Sequence, residues 1–203
     1  MSIDFVKNKY FFILLIIAVL LAGGVFYWQS QKPTPPDKWD EAEVSQREDY
    51  KITKKKDGLL VENEKAGLSL ELPRGWNRIE GVTYTSFLSP EFKQSTSSNI
   101  LKSGCKISLK ISNINTDIEA LKRKQKDKFD WETLILNEFK EINLDDKKSL
   151  KHKFQDEKMK MYFVGLHIPA DNKLYEIVLD SAIKDKEKCE EEFNKVLDSV
   201  SIQ

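Results

Sequence analysis

Apolar residues are spaced in three different ways along this chain. From Tyr10 to Trp28 they are continuous: YFFILLIIAVLLAGGVFYW is 19 residues without a charge. Around Leu68–Leu72 and Cys105–Ile111 they alternate with polar residues, the period of a half-buried strand. Near the C-terminus, Ile183, Cys189, Phe193, Val196, Leu197 and Val200 recur at spacings of three and four, the period of an amphipathic helix. One chain therefore combines a membrane-length apolar segment with an α+β domain.

The details of that domain follow from the same pattern. Leu68, Leu70 and Leu72 form a strand face, stopped by Pro73-Arg74-Gly75 before Trp76, and Val82–Leu88 is a second strand rich in Val, Thr, Tyr and Phe. Lys93–Asn99 (KQSTSSN) reads as a mobile loop. Cys105, Ile107, Leu109 and Ile111 share the next strand face. Thr116-Asp117-Ile118-Glu119 has capping-box spacing and predicts a helix start, while Phe129–Phe139 fits either a continuation of that helix or a break and restart. Ile142 and Leu144, then Leu150 and Phe154, suggest short strands around the turn Asp145-Asp146-Lys147-Lys148. Met159–Ile168 is apolar on both faces from Met161 onward, as a central covered strand is. Beyond the turn Pro169–Lys173, Leu174–Leu179 returns as its hairpin partner, and a closing helix follows with Asp185 as its N-cap.

As a helix rising about 1.5 Å per residue, the segment 10–28 spans roughly 28 Å, close to the ~30 Å hydrocarbon core of a bilayer. It holds twelve Leu, Ile, Val or Phe residues, with Tyr10, Tyr27 and Trp28 at its ends, where aromatic rings prefer the headgroup level. Lys7 and Lys9 crowd the short N-terminal side, so the positive-inside bias places residues 1–9 in the cytoplasm and everything beyond Trp28 outside. A cleaved secretory signal is the competing reading, since Ala22 and Gly24 offer a small-x-small site; the apolar run continues past it through Tyr27-Trp28. A lipoprotein is excluded because Gly24 stands where the acylated Cys must be. A pilin-like continuous helix is excluded by Pro33, Pro35 and Pro36.

Residues 29–50 (QSQKPTPPDKWDEAEVSQREDY) read as a spacer: half of the six prolines fall here, and acidic residues follow. Fully extended, the 22 residues reach roughly 70 Å. Residues 51–203 remain as the extracytoplasmic domain. Charge is balanced, with 33 Lys+Arg against 33 Asp+Glu, which argues against a nucleic-acid binder.

The order of these elements resembles a family. The strand ending Leu70-Glu71-Leu72-Pro73-Arg74-Gly75-Trp76, the hairpin MKMYFVGLHIPADNKLYEIVL (159–179) and the final helix ending Phe193–Val200 are similar to the PsbP-like superfamily over roughly residues 59–203. The resemblance implies an α/β/α sandwich around a largely antiparallel sheet, and a binding or scaffolding role without catalysis. It transfers Pro73-x-Gly75-Trp76 and Lys173-x-Tyr175-x-Ile177 as fold markers only, and no active site.

Candidate chemistry is sparse. Cys105 and Cys189 both lie on core-facing sides and are a candidate disulfide outside the cytoplasm; two buried reduced thiols are the alternative. His152 and His167 have no Asp, Glu or His partner at metal-ligand spacing, and no phosphate loop, nucleophile elbow or H-E-x-x-H occurs, so no metal, cofactor or catalytic residue is assigned. Lys122, Arg123, Lys124, Lys126 and Lys128 form the one local excess of positive charge, a candidate patch for anionic lipid, wall polymer or an acidic partner. A solvated helix face is the plainer account of it.

The sequence thus predicts a single-pass protein of the cell membrane. Its partners would be the bilayer, through residues 10–28, and an envelope protein or polymer. The expected role is a binding or assembly module. An envelope enzyme with catalytic residues too scattered to see is the alternative.

Overall fold

The structure, a computed structural model, describes residues 42–79, 84–95, 100–128 and 134–203, the side chains of residues 127 and 128 aside. The cytoplasmic tail, the apolar segment 10–28 and most of the spacer, with Trp39, lie outside the described residues. No helix among the described residues is long and apolar enough to cross a membrane.

Seven strands make the main sheet. They are β4 (Asn77–Ile79), β5 (Thr85–Leu88), β8 (Cys105–Ser112), β9 (Ile135–Leu144), β10 (Lys147–Asp156), β11 (Met161–Ala170) and β12 (Lys173–Ala182). Their order across the sheet is β4-β5-β8-β12-β11-β10-β9, and every pairing is antiparallel. A second sheet of four, in order β1-β2-β3-β13, combines β1 (Lys51–Lys55), β2 (Gly58–Asn63), β3 (Leu68–Pro73) and the C-terminal β13 (Ser201–Ile202). A small ladder pairs β6 (Lys93–Gln94) with β7 (Leu101–Ser103). Two helices complete the described fold, α1 (Ile118–Lys128) and α2 (Lys186–Leu197).

Alternation decides what lies on each side. The residues of β8 that alternate apolar, Cys105 to Ile111, pair in register with Ser181, Leu179, Ile177 and Tyr175 of β12, which oppose Tyr162, Val164, Leu166 and Ile168 of β11. These form one continuous face, buried against Leu68, Leu70 and Leu72 of β3 and against Phe193, Val196 and Leu197 of α2. At ~25 cal/mol per Å² of apolar surface, this is the main stabilising term of the fold. The opposite face carries Leu150 and Leu174, which pack with Ile114 and Leu121 beneath α1.

The expected antiparallel sheet and helices are present. The second sheet is the feature that the periodicity does not predict: β1 is mostly exposed lysine and threonine, and β2 buries Gly58, Val61 and Asn63, which is not a strict alternation. One face of the main sheet is accordingly covered by strands together with α2, where the expected sandwich had helices alone.

Several local expectations change as well. Of the stretch Phe129–Phe139, residues 129–133 lie outside the described residues, and Ile135–Phe139 is no helix but the first half of the ten-residue edge strand β9. The hairpins β9–β10 and β11–β12 are longer than read. They turn on Asp145-Asp146 (φ 47° and 59°) and Asp171-Asn172 (φ 51° and 60°), two-residue turns whose double positive φ suits Asp and Asn. Of the expected loop 93–99, Lys93–Gln94 pairs with β7, and residues 96–99 lie outside the described residues. The described end of the spacer is not free of the domain: Val44 bridges Ser112, Ser45 N–H donates to Ile111 O (2.9 Å), and Tyr50 is buried.

The two helix starts use their aspartates differently. Asp117, one residue after Thr116, caps α1: its Oδ1 accepts from Ala120 N–H at 2.7 Å. Asp185 stands at the N-cap position of α2 as expected, but its side chain makes no capping bond; its Oδ2 accepts from Gly104 N–H at 2.9 Å, tying the helix start to the β7–β8 corner. The fold markers sit where the core needs them. Trp76 is buried after a turn in which Gly75 takes φ 89°, and Tyr175 donates from its hydroxyl to Ala66 O at 2.6 Å, linking the two sheets.

Candidate functional site

Cys105 and Cys189 are bonded, with Cα atoms 5.6 Å apart and both residues buried. Facing was the sequence signal, and strand β8 and helix α2 supply the distance. A cleft of about 470 Å³ opens at the end of the main sheet where β12 finishes and β11 begins. Three walls meet there: Ile100–Lys102 leading into β7, the turn at Glu157 and Lys160 before β11, and Ala182–Lys184 after β12. The floor is aliphatic, from Ile100, Leu101, Ala182 and Ile183, and exposed Lys102, Lys160, Lys184 and Glu157 stand at the rim.

The walls are fixed to one another. Ile183 N–H donates to Lys160 O (3.0 Å), and Asp185 holds Gly104 as described. Gly104 itself takes φ 77°, and an added Cβ would lie 2.6 Å from the Phe92 nitrogen, so the corner has no room for a side chain. The cleft is therefore built into the fold. Sequence reading missed it because the first wall stands 55 to 84 residues before the other two. The one available signal was the predicted hairpin, which brings Lys160 beside Ile183.

The lysine-rich helix is different from its sequence appearance. Consecutive residues of a helix point in different directions, about 100° apart, so a run of basic residues is split. Lys122 pairs with Glu119 (2.8 Å) and with Glu141 of β9. Lys124 lies half-buried towards Glu176, and only Arg123 and Lys126 face solvent among the described side chains. Lys128 has no described side chain. The five residues do not form one surface.

Between Lys124 and Lys126, Gln125 points inward. Its Nε2 lies 3.2 Å from His167 Nε2, and the His167 ring stacks on His152 with centroids 5.0 Å apart. His152 occupies the space above Gly165, its neighbour in register, where a Cβ would sit 2.3 Å from the ring. His167 Nδ1 is 3.3 Å from Glu176 Oε1, near enough for an ion pair but off the hydrogen-bond line. Burial pushes the Glu176 carboxyl up, but the His167 ring, with Lys110 and Lys124, more than offsets this and brings it to about 2. The two histidines that looked unpartnered in sequence are thus brought together by adjacent strands. They lie beneath α1, sealed from solvent, and form no open site.

A second charged group lies by α2. Glu190 accepts from Tyr162 OH (2.7 Å) and pairs with Lys153, which also approaches Glu138 at 3.5 Å. Burial, then Lys153, pushes the neighbouring Lys151 ammonium down. Each of these carboxylates is held by a cation or hydroxyl, the arrangement of a packing network. Among the described residues no group of three His, Cys, Asp or Glu is placed to hold a metal ion.

Two antiparallel sheets closed by a C-terminal helix and strand form a fold that this chain shares with LpqN. No family model and no curated protein matches the chain. Among solved structures, LpqN of Mycobacterium tuberculosis, involved in cell envelope biogenesis, aligns over 85% of this chain and 99% of its own, with TM-score 0.52 and 10% identity. The cyanobacterial PsbP (CyanoP) of Synechocystis aligns over 76% and 93%, with TM-score 0.49 and 13% identity. A Pseudomonas aeruginosa protein of unknown function aligns over 76% and 97%, with TM-score 0.46 and 13% identity. At these identities the likeness is one of fold.

Proposed function

We propose that this protein is a membrane-anchored binding module whose domain faces the outside of the cytoplasmic membrane and has no catalytic chemistry of its own. The observation that carries this reading is the cleft at Ile100–Lys102, Glu157, Lys160 and Ala182–Lys184: concave, apolar in its floor, charged at its rim, and lined by neither His nor Cys. Its size falls in the 300–1,000 Å³ range of small-ligand sites. The strongly shifted carboxylate, Glu176, lies under a helix and away from the cleft, so it does not favour the enzyme reading.

The membrane part of the proposal rests on the 19 uncharged residues from Tyr10 to Trp28 and on Lys7 and Lys9 before them. A disulfide between buried cysteines supports an oxidising compartment. LpqN carries a similar fold and acts in envelope biogenesis, although fold by itself sets no ligand. Shaving intact cells with an impermeant protease tests the topology: the domain is digested without lysis if the reading holds. Crosslinking the full-length protein in situ tests the module, and turnover of a small substrate by a protein that captures nothing would replace it with an enzyme.

A further inference from the structure

We propose that the cleft binds the anionic head and adjoining methylenes of an acyl-chain amphiphile. This rests on the reading of the cleft as a binding site and names its ligand class. Lys102, Lys160 and Lys184 surround the floor, against Glu157 alone, and among the described residues none of these ammonium groups is in an ion pair.

The nearby acids are committed elsewhere. Glu91 pairs with Lys188 (2.8 Å), Asp180 pairs with Lys106 (2.7 Å), Asp185 accepts from Gly104, and Asp156 Oδ1 accepts from Met159 N–H (2.8 Å). The net charge left at the rim, three ammonium groups against the Glu157 carboxylate, is therefore positive. It favours an anion, while the aliphatic floor favours hydrocarbon.

The lining also argues against other ligands. It has no aromatic ring to stack a base or sugar, and no Ser, Thr, Asn, Gln or Tyr to supply directed hydrogen bonds. Lysine is a mobile point charge that suits an anion held at the water's edge, and its methylene stem extends the apolar surface. Because the walls are tied by the Ile183–Lys160 hydrogen bond and, beside them, by Asp185 holding Gly104, little ordering is needed on binding. Val44 bridges Ser112, at the end of β8 opposite to the cleft.

The head chemistry is shared by free acyl carboxylates and anionic phospholipids, and photolabelling separates them. Full-length protein in phosphatidylcholine nanodiscs is exposed to a twelve-carbon carboxylate with a diazirine in its chain, to the trimethylammonium analogue, and, in separate discs, to phosphatidylglycerol labelled in its acyl chain. We expect the carboxylate, the phosphatidylglycerol or both to label peptides containing Leu101 and Ile183, and whichever labels identifies the source. The cationic analogue should label them at least tenfold less. K102E/K160E/K184E should abolish the labelling and K102M/K160M/K184M reduce it severalfold, with equal labelling of residues 10–28 as the control for delivery. Equal labelling by the cationic probe, or labelling unchanged in both variants, overturns the proposal. No label in the cleft, with a photoreactive residue at Lys184 still capturing a protein in cells, overturns the amphiphile and leaves the binding module. The absence of both ends both.

Discussion

Removing the Cys105–Cys189 bond has an effect whose size can be worked out in advance. The two residues are 84 positions apart, and the chain-entropy model assigns a loop of that length about 4–5 kcal/mol of stabilisation, by restricting the unfolded chain. Both sulfurs are buried, so reduction adds the small penalty of fitting two thiols where one bond sat. For a domain of roughly 160 residues, 1 kcal/mol moves Tm by about 2–4 °C, giving an expected fall of about 10–20 °C. Guanidinium unfolding of the full-length protein in a non-denaturing detergent, with and without reductant, measures the difference. A C105A/C189A variant should match the reduced protein and be insensitive to reductant. Two reactive thiols in unreduced, denatured protein, or a loss below about 1 kcal/mol, would refute the reasoning.

Other consequences are narrower. Gly165→Ala should destabilise by about 1–3 kcal/mol in chemical denaturation, since the new methyl meets the His152 ring at 2.3 Å; H152A should recover much of that loss. Tyr175→Phe removes the hydroxyl bonded to Ala66 O and should cost about 1–2 kcal/mol, with no change in the far-UV spectrum. Glu176 has its folded pKa lowered to about 2 from an ordinary 4.5, so its contribution is complete above the ordinary value and is lost as pH falls towards 2. Unfolding free energy should drop by up to about 3 kcal/mol more across that window than in Glu176→Gln. Equal slopes in the two proteins would remove Glu176 from the account.

The three spacings in the chain determined much. Nineteen uncharged residues define a membrane-length segment whatever follows them, because bilayer thickness alone sets the criterion. Alternation in β3 and β8, the doubly apolar β11 and the three-four spacing of α2 are local signals. They gave those elements, their buried faces and the pairing of β11 with β12, since the partner is close in sequence. The two cysteines could be assigned to faces for the same reason.

What escaped depends on neighbours distant in the chain. β1 is mostly exposed lysine and threonine and becomes a strand only because β2 pairs with it; β9 is an edge strand whose mixed pattern also fits a helix. The pairing of the histidines needed β10 beside β11 in one register, with a glycine where His152 lies. The cleft needed three segments brought together by an inter-element hydrogen bond and by an aspartate turned from its helix to Gly104. Periodicity along a chain tells which side of an element faces inward. Which elements then meet is decided by the packing of whole layers, and only there does a ring of lysines around an aliphatic floor come into being.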